Sequence, residues 1–327
     1  MKKYHNLGGI LANGINKSRI KRHLDRTVAV IGDKGFIGSS LSKKLKLSGH
    51  VVIPYSLKDR ELPPEVDTIF YLAGRVTPSN ATQQPGLIKS EIECFQQLIT
   101  HASRSPNLVR VVLASSGGTI YDPNCQPPYR EDFPLVPNNL YGHMKLEMEN
   151  IVLNHSRIEP VVVRLANVYG PNQKARRGLG VIAHWLNAIS HGKPVIVLGD
   201  PNSTRDYVFI DDVVGMLLRI CEKDIVPPIL NIGSGTPVPL RELICATLTV
   251  TQYPWSRVEF RQSRQIDRVH AWLDVKLAKE ALGWHDYIEI EEGICKTWAW
   301  FCAQNGSHLR LCKQMSGLKD FQAKQLG

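Results

Sequence analysis

Two residues four apart, Tyr141 and Lys145 in the run Tyr141-Gly142-His143-Met144-Lys145, are the pair in this chain best suited to moving a proton. At i and i+4 they share one face of a helix. An ammonium beside a phenol favours the phenolate and lowers the tyrosine pKa. Tyr141 can then give or take a proton near neutral pH, while Lys145 can also hold a ribose hydroxyl. The spacing alone favours a solvated helix face. What favours chemistry is the company it keeps. Ala114-Ser115-Ser116-Gly117-Gly118-Thr119-Ile120-Tyr121 follows an apolar run and sets hydroxyls at a strand end.

A second constellation lies near the start. The run Val28-Ala29-Val30-Ile31-Gly32-Asp33-Lys34-Gly35-Phe36-Ile37-Gly38 reads as a buried strand, a tight turn and a helix N-terminus. Its glycines, Gly32, Gly35 and Gly38, let the backbone turn sharply and approach a pyrophosphate. The helix that begins at Phe36 and Ile37 presents free N–H groups and a positive dipole end to it. Three glycines alone are weak evidence; after a strand and before a helix they favour dinucleotide binding.

The elements that must carry these groups alternate. Strands are expected at residues 27–31, 51–53, 67–72, 108–113 and 160–165, with helices at about 36–48, 84–103 and 140–155. The run 51–53 reads as a second buried strand. Only residues 54–66 separate it from the next one, too few for a helix plus a strand, so one βα unit is trimmed. Ala73-Gly74 ends the third strand, where it would sit over the dinucleotide. The alternation predicts an α/β fold, a doubly wound parallel (Rossmann-type) sheet with helices on both faces. Beyond Asn167 the pattern loosens. Helices are expected near 181–190, 212–222, 240–248, 275–282 and 290–304, with short strands at 195–198, 207–210 and 229–232. This mixture predicts a smaller C-terminal substrate lobe on the carboxyl edge of the sheet, where ligands bind in such folds. The chain divides into a basic extension (1–26, helical at best in 16–24), a dinucleotide-binding domain (27–175), a substrate-binding lobe with some segments returning to the main sheet (176–304) and a polar tail (305–327).

Composition sets the outer bounds. The chain has 327 residues, 43% hydrophobic and 21% charged, as in ordinary soluble proteins. No apolar run approaches the roughly 18 residues of a transmembrane helix, and no signal core is visible, so a cytoplasmic protein without a membrane partner is expected. The seven cysteines include no close ligand pair, which argues against a disulfide framework or a metal site and for reduced, mostly buried thiols. The net charge of +10 is concentrated at the start: residues 1–50 hold eleven Lys/Arg against Asp25 and Asp33. Such an arm can bind nucleic acid or an anionic surface. No nucleic-acid motif accompanies it, so a solvated extension is the expectation.

Over residues 27–302 the chain resembles the extended short-chain dehydrogenase/reductase family, in the branch of UDP-glucose 4-epimerase and its relatives. The stretches that carry the resemblance are Gly32–Gly38, Leu72-Ala73-Gly74, Ser115–Tyr121, Tyr141–Lys145, Arg164-Leu165-Ala166-Asn167, Arg205-Asp206-Tyr207, Asn231-Ile232-Gly233-Ser234-Gly235 and Leu282-Gly283-Trp284. The resemblance implies an NAD(P)-dependent enzyme acting on a nucleoside-diphosphate sugar. It gives Tyr141 the proton of the sugar 4-hydroxyl, Lys145 a place in catalysis and at the cofactor, and a Ser/Thr hydroxyl a hydrogen bond to the same oxygen. It puts Arg205 and Arg264 at the diphosphate, Asp267 near the nucleotide ribose and Asn167 at the sugar or diphosphate. It implies a homodimer paired through the helices at 84–103 and 140–155.

The departures from the family pattern matter as much. The catalytic Ser/Thr position falls on Gly117, leaving Ser116 or Thr119 to supply the hydroxyl. If the strand runs regularly, Ser116 points away from the sugar and Thr119 lies on the correct side; a bend at the glycines would reverse this. Gly118-Thr119 replaces the Asp-Glu pair of dehydratases, which argues against dehydration. Pro54-Tyr55-Ser56 replaces the acid that would hold an NAD ribose, and Lys58 and Arg60 follow, so NAD is expected with NADP open. The family's asparagine in the helix at 84–103 is absent, with Glu91 nearby. Three readings follow: a nucleotide-sugar 4-epimerase, an NADPH-dependent 4-keto-sugar reductase, and a catalytically silent nucleotide-sugar or NAD(P)-binding protein.

Overall fold

The computed structural model describes residues 26–53, 55, 62–175, 180–262 and 269–304. In chain order the strands of the main sheet are β1 (Thr27–Ile31), β2 (Val51–Ile53), β3 (Thr68–Tyr71), β4 (Val109–Ser116), β5 (Ile158–Leu165) and, much later, β9 (Ile229–Ile232). All neighbours are parallel, in the order β2-β1-β3-β4-β5-β9. Four helices cover the sheet: α1 (Phe36–Leu47), α2 (Pro85–Ser103), α3 (Leu140–Leu153) and, after a shorter α4 (Val181–Ser190), α5 (Ile210–Glu222).

The two faces follow from side-chain alternation along each strand. Val28 and Val30 of β1 turn to α1 and α5 with Leu41, Leu45, Phe70 and Val112. Ala29 and Ile31 turn the other way, to α2 and α3 with Phe95, Leu98, Met144 and Met148. A sheet buried on both faces needs near-continuous apolar strands, which is why β1, β3 and β4 were readable as such.

A second, four-stranded sheet lies beyond the carboxyl end of β5. It contains β6 (Asn167–Tyr169), β8 (Thr204–Phe209), β10 (Pro237–Pro239) and β12 (His270–Ala271). A two-stranded ribbon pairs β7 (Val195–Leu198) with β11 (Val258–Arg261). Helices α6 (Leu240–Thr251), α7 (Lys276–Leu282) and α8 (Ile290–Gln304) complete the described chain.

Several expectations change here. The run 51–53 is an edge strand rather than a buried one, with Val51 54% exposed. With one βα unit trimmed, no further described strand lies outside it. Strands β6, β10, β11 and β12 escaped the sequence pattern because, unlike the equally short but largely apolar β2, β7 and β9, they mix polar residues or proline into two to four positions. Of the six described cysteines only Cys221 and Cys302 are buried, and Cys245 is exposed on the outer face of α6. The expected mostly buried thiols are therefore not found. The basic extension, the polar tail, Lys58 and Arg60 lie outside the described residues. Tyr55, in the stretch where an acid was expected, pairs its hydroxyl with His101 Nδ1 of α2 at 2.8 Å.

Candidate active site

The chain reverses direction across the sheet between β1 and β3, and the glycine turn lies at that switch point. Gly35 N–H donates to Gly32 O at 2.8 Å, closing the turn that starts α1. Gly32 has φ +95°, and a Cβ there would stand 2.8 Å from Ala73 N. A Cβ on Gly38 would stand 2.1 Å from Gly32 O. Only glycine fits either place. The turn therefore presses against Ala73 at the end of β3, leaving the N–H groups of the first turn of α1, from Phe36 and Ile37 on, for a ligand. Gly35, Gly74 and Ala73 complete this cradle. A Cβ at Gly74 would lie 3.8 Å from Glu91 Oε1. The geometry fits the pyrophosphate of a dinucleotide, with close backbone and a helix dipole and no side chain in the way.

The proton-handling pair sits on the next crevice of the sheet. Asn139 caps α3, its side chain accepting from Gly142 N at 2.8 Å. A Cβ on Gly142 would meet Thr119 O at 2.6 Å, so α3 packs its first turn directly against the turn that follows β4. Tyr141 and Thr119 thereby stand on two segments in contact. One turn on, Lys145 Nζ donates to Ala114 O at 2.9 Å and lies 5.8 Å from the Tyr141 ring centroid. Burial pulls Lys145 down to about 8, with Glu91 and then Glu149 opposing it. Burial and then Glu91 push Tyr141 up to about 12. The expected lowering of Tyr141 by Lys145 is thus not met. The ammonium lies beside the ring rather than forming a hydrogen bond to the phenol oxygen, and a carboxylate, Glu91, faces both groups.

The hydroxyls at the end of β4 separate by face. Ser115 Oγ donates to Glu149 Oε1 on the α3 side. Gly117 N–H donates to Leu165 O at 2.9 Å, the last bond of the β4–β5 ladder, and the chain then turns over Gly117-Gly118, with Thr119 N–H donating to Ser116 O at 3.5 Å. Ser116 therefore lies in the row of Val112 and Ala114, which belongs to the opposite layer. Thr119 Oγ1 is buried and has no hydrogen-bond partner among the described residues.

Below the pair runs a buried polar network. Arg164 and Glu149 are each 1% exposed and form an ion pair at 2.8 Å. Arg164 also donates to Tyr121 Oη at 3.0 Å and to Glu131 O at 3.0 Å. Tyr121 donates to Asn231 Oδ1 at 2.6 Å, and Asn231 Nδ2 donates to Tyr129 O and Asp274 O. This network was missed from sequence, although an arginine inside the apolar run of β5 is a signal for a buried partner.

Asn167 and Arg205, expected at the substrate, lie on the second sheet. Asn167 opens β6, paired in register with Tyr207, and donates to Asp206 O at 3.0 Å. Arg205 on β8 is half-buried and donates to Thr204 O and Val269 O. Asp206 points the other way and is buried, accepting from Ser234 N and Oγ and from Gly235 N. Burial raises its pKa against those donors. Arg264 and Asp267 lie outside the described residues. The structure thus puts Tyr141 and Lys145 on α3 against the segment that carries Thr119, sets Gly32, Gly35, Phe36, Ile37, Gly38, Ala73 and Gly74 together where β1 and β3 end, and places Asn167 and Arg205 on the strands that follow β5. No group of metal-ligating side chains occurs among the described residues, and no described helix is long and apolar enough to cross a membrane.

Comparison with known proteins agrees with this arrangement. Residues 28–233 match the NAD dependent epimerase/dehydratase family. The chain is 30% identical over 307 residues to UDP-glucose 4-epimerase of Mycolicibacterium smegmatis, covering 83% of this chain and 97% of the relative. It is 28% identical over 239 residues to dTDP-4-dehydro-6-deoxyglucose reductase of Escherichia coli, covering 71% and 73%. Among solved structures it is similar to the UDP-glucose 4-epimerase of Thermotoga maritima with UDP-glucose. There the TM-score is 0.77 at 28% identity, over 85% of this chain and 99% of the other.

Proposed function

The chain belongs to the NAD dependent epimerase/dehydratase family, and on that footing we propose that it is a nucleotide-sugar 4-epimerase using NAD. The observation that supports the reading is the docking of α3 on the β4 turn, where Gly142, next to Tyr141, presses on the Thr119 carbonyl and Lys145 bonds to Ala114 O. NAD, when bound, would supply reversible acceptance of hydride from the sugar carbon. Gly32, Gly35, Gly38, Ala73 and Gly74 hold its phosphates and adjoining ribose without side-chain obstruction. Lys145 holds a ribose hydroxyl and supplies positive charge beside the Tyr141 ring. Tyr141, once its own proton has passed to solvent, takes the proton of the sugar 4-hydroxyl as phenolate and gives it back after the sugar has turned. Thr119 donates to the same oxygen, because developing charge in a dry site needs donors. Arg205 and Asn167, on β8 and β6, orient the diphosphate and the sugar, and arginine's planar fork suits that task. The turn Ser115–Tyr121 carries no carboxylate, which opposes dehydration.

The similarity to the M. smegmatis and T. maritima epimerases favours UDP-sugars. The similarity to the E. coli reductase supports a second reading, reduction of a 4-keto sugar nucleotide. A panel of UDP-, dTDP- and GDP-sugars, resolved by product chromatography, tests both. The expected result is interconversion of C4 epimers with no net consumption of nicotinamide. Stoichiometric oxidation of NADPH by a 4-keto sugar nucleotide, without epimer formation, would replace the first reading by the second. We also propose a homodimer through α2 and α3, for which a dimer mass by light scattering at micromolar concentration is the expected outcome.

A further inference from the structure

Gly117 occupies a crowded place. A Cβ built there would lie 2.7 Å from both Leu273 Cδ1 and Cδ2, and 3.2 Å from Leu273 Cγ. Leu273 follows β12 in the C-terminal part of the chain, far from Gly117 in sequence, and is 2% exposed. It has little freedom to yield. Tyr129 N donates to Trp272 O and Asp274 N donates to Tyr129 O, each at 2.9 Å, so the backbone on both sides of Leu273 is zipped to the loop after β4. Its own N–H is held by the buried Asp206 carboxylate. Its side chain packs with Ile120, Tyr121 and Tyr129 in one buried cluster.

The volume that a side chain at 117 would fill is therefore already filled, from another part of the chain. On the same turn stands Thr119, whose buried Oγ1 has no partner and whose carbonyl abuts α3 beside Tyr141. A side chain at 117 would have to displace the Leu273 methyl groups, and an unpartnered hydroxyl stands two residues on. An unpaired buried hydroxyl is costly unless something else accepts from it or donates to it.

We propose that Gly117 and Leu273 are a matched pair that moves the active-site hydroxyl from position 117 to Thr119, with Leu273 as the positioning residue that supports the 117–121 turn. The inference rests on the proposed sugar-nucleotide chemistry for Thr119, while the pairing itself does not. The pairing is tested first by thermal unfolding of Gly117→Ser, Leu273→Ala and the double variant. Leu273→Ala is expected to lower the melting temperature of the wild type but to raise that of Gly117→Ser, because serine takes the vacated volume. Gly117→Ala runs in the same cycle in case the serine variant does not fold. Losses that simply add would overturn the pairing.

The relocation is tested by turnover of the sugar nucleotide that the wild type interconverts. Thr119→Ala should lose at least a hundredfold in kcat. Adding Gly117→Ser with Leu273→Ala should regain at least tenfold in kcat with KM unchanged. Wild-type turnover in Thr119→Ala, or no recovery in the triple variant although the unfolding cycle couples, would overturn the relocation. Should the wild type turn over no sugar nucleotide, the functional reading fails and the unfolding cycle still decides the pairing.

Discussion

Lys145 Nζ donates to Ala114 O at 2.9 Å, which ties the helix carrying the amine to the strand that ends in the active-site turn. The tie is made in a dry place, and burial pulls the ammonium down to about 8. The folded chain thus holds this proton less tightly than the unfolded chain does. The cost is present in full below pH 8 and is relieved as pH rises from there toward the ordinary lysine value. Lys145→Met is expected to abolish turnover while stabilising the cofactor-free protein at pH 7 by ~1–3 kcal/mol. Urea unfolding checks this, and a destabilised variant would contradict it.

Tyr141 is a phenol at neutral pH, since burial and Glu91 push it up to about 12. To act as the proposed base it must first give up its own proton, which positive charge beside it favours. Tyr141→Phe should lower kcat by a factor of about 10²–10⁴, the usual worth of a general acid–base residue. NAD affinity, followed by fluorescence, should hardly change. Near-normal turnover would remove Tyr141 from the reaction.

Glu91 is 4% exposed and accepts from Arg75 N at 3.3 Å, so it fixes the loop after β3 as well as facing Tyr141 and Lys145. It is the first of the two carboxylates that hold Lys145 up against burial, Glu149 being the second. Glu91→Gln keeps an oxygen for Arg75 N and removes the charge. The alkaline limb of kcat/KM, expected near pH 8 from Lys145, should move acid-ward by about 1 pH unit. A limb that stays in place would show that Glu91 serves only the loop.

Arg164→Met leaves the Glu149 carboxylate buried beside Ser115 without its partner. Loss of one member of a buried pair costs ~3–5 kcal/mol. Adding Glu149→Gln should recover part of that loss in chemical denaturation. If the two changes are additive, the pair is not coupled as its geometry requires.

Long elements and close-set motifs were legible before any coordinates. The glycine turn, the apolar runs of β1, β3, β4 and β5, and the pair Tyr141/Lys145 each carry a pattern within a dozen residues. The trimmed unit after β2 was countable from the chain length between strands. Leu273 was not legible, because its partner Gly117 lies far back in the chain and leucine in an apolar run announces nothing. The choice between Ser116 and Thr119 turned on whether the backbone bends at Gly117-Gly118. A glycine pair leaves that undecided; in the structure Gly117 N–H still bonds Leu165 O, but β4 ends at Ser116 and the chain turns over Gly117-Gly118, Thr119 N–H donating to Ser116 O at 3.5 Å. The raised Tyr141 pKa was hidden for a related reason. Sequence gives the lysine four residues away, but not the Glu91 carboxylate that α2 brings across.

Asn231 has a consequence for anyone recombining this chain with its relatives. It sits on β9, the strand that returns from the C-terminal half to the main sheet. Its side chain accepts from Tyr121 and donates to the carbonyls of Tyr129 and Asp274, while its N–H is taken by Glu131. Exchanging the C-terminal half to borrow another substrate preference would therefore cut through a polar knot rather than a linker. A chimera joined before β9 inherits a foreign partner for Tyr121 and Glu131. One joined after it keeps Asn231 but receives a foreign strand to cover Gly117. Transplants that carry 121–131, 231 and 271–275 as a set respect the seam along which this protein can be divided.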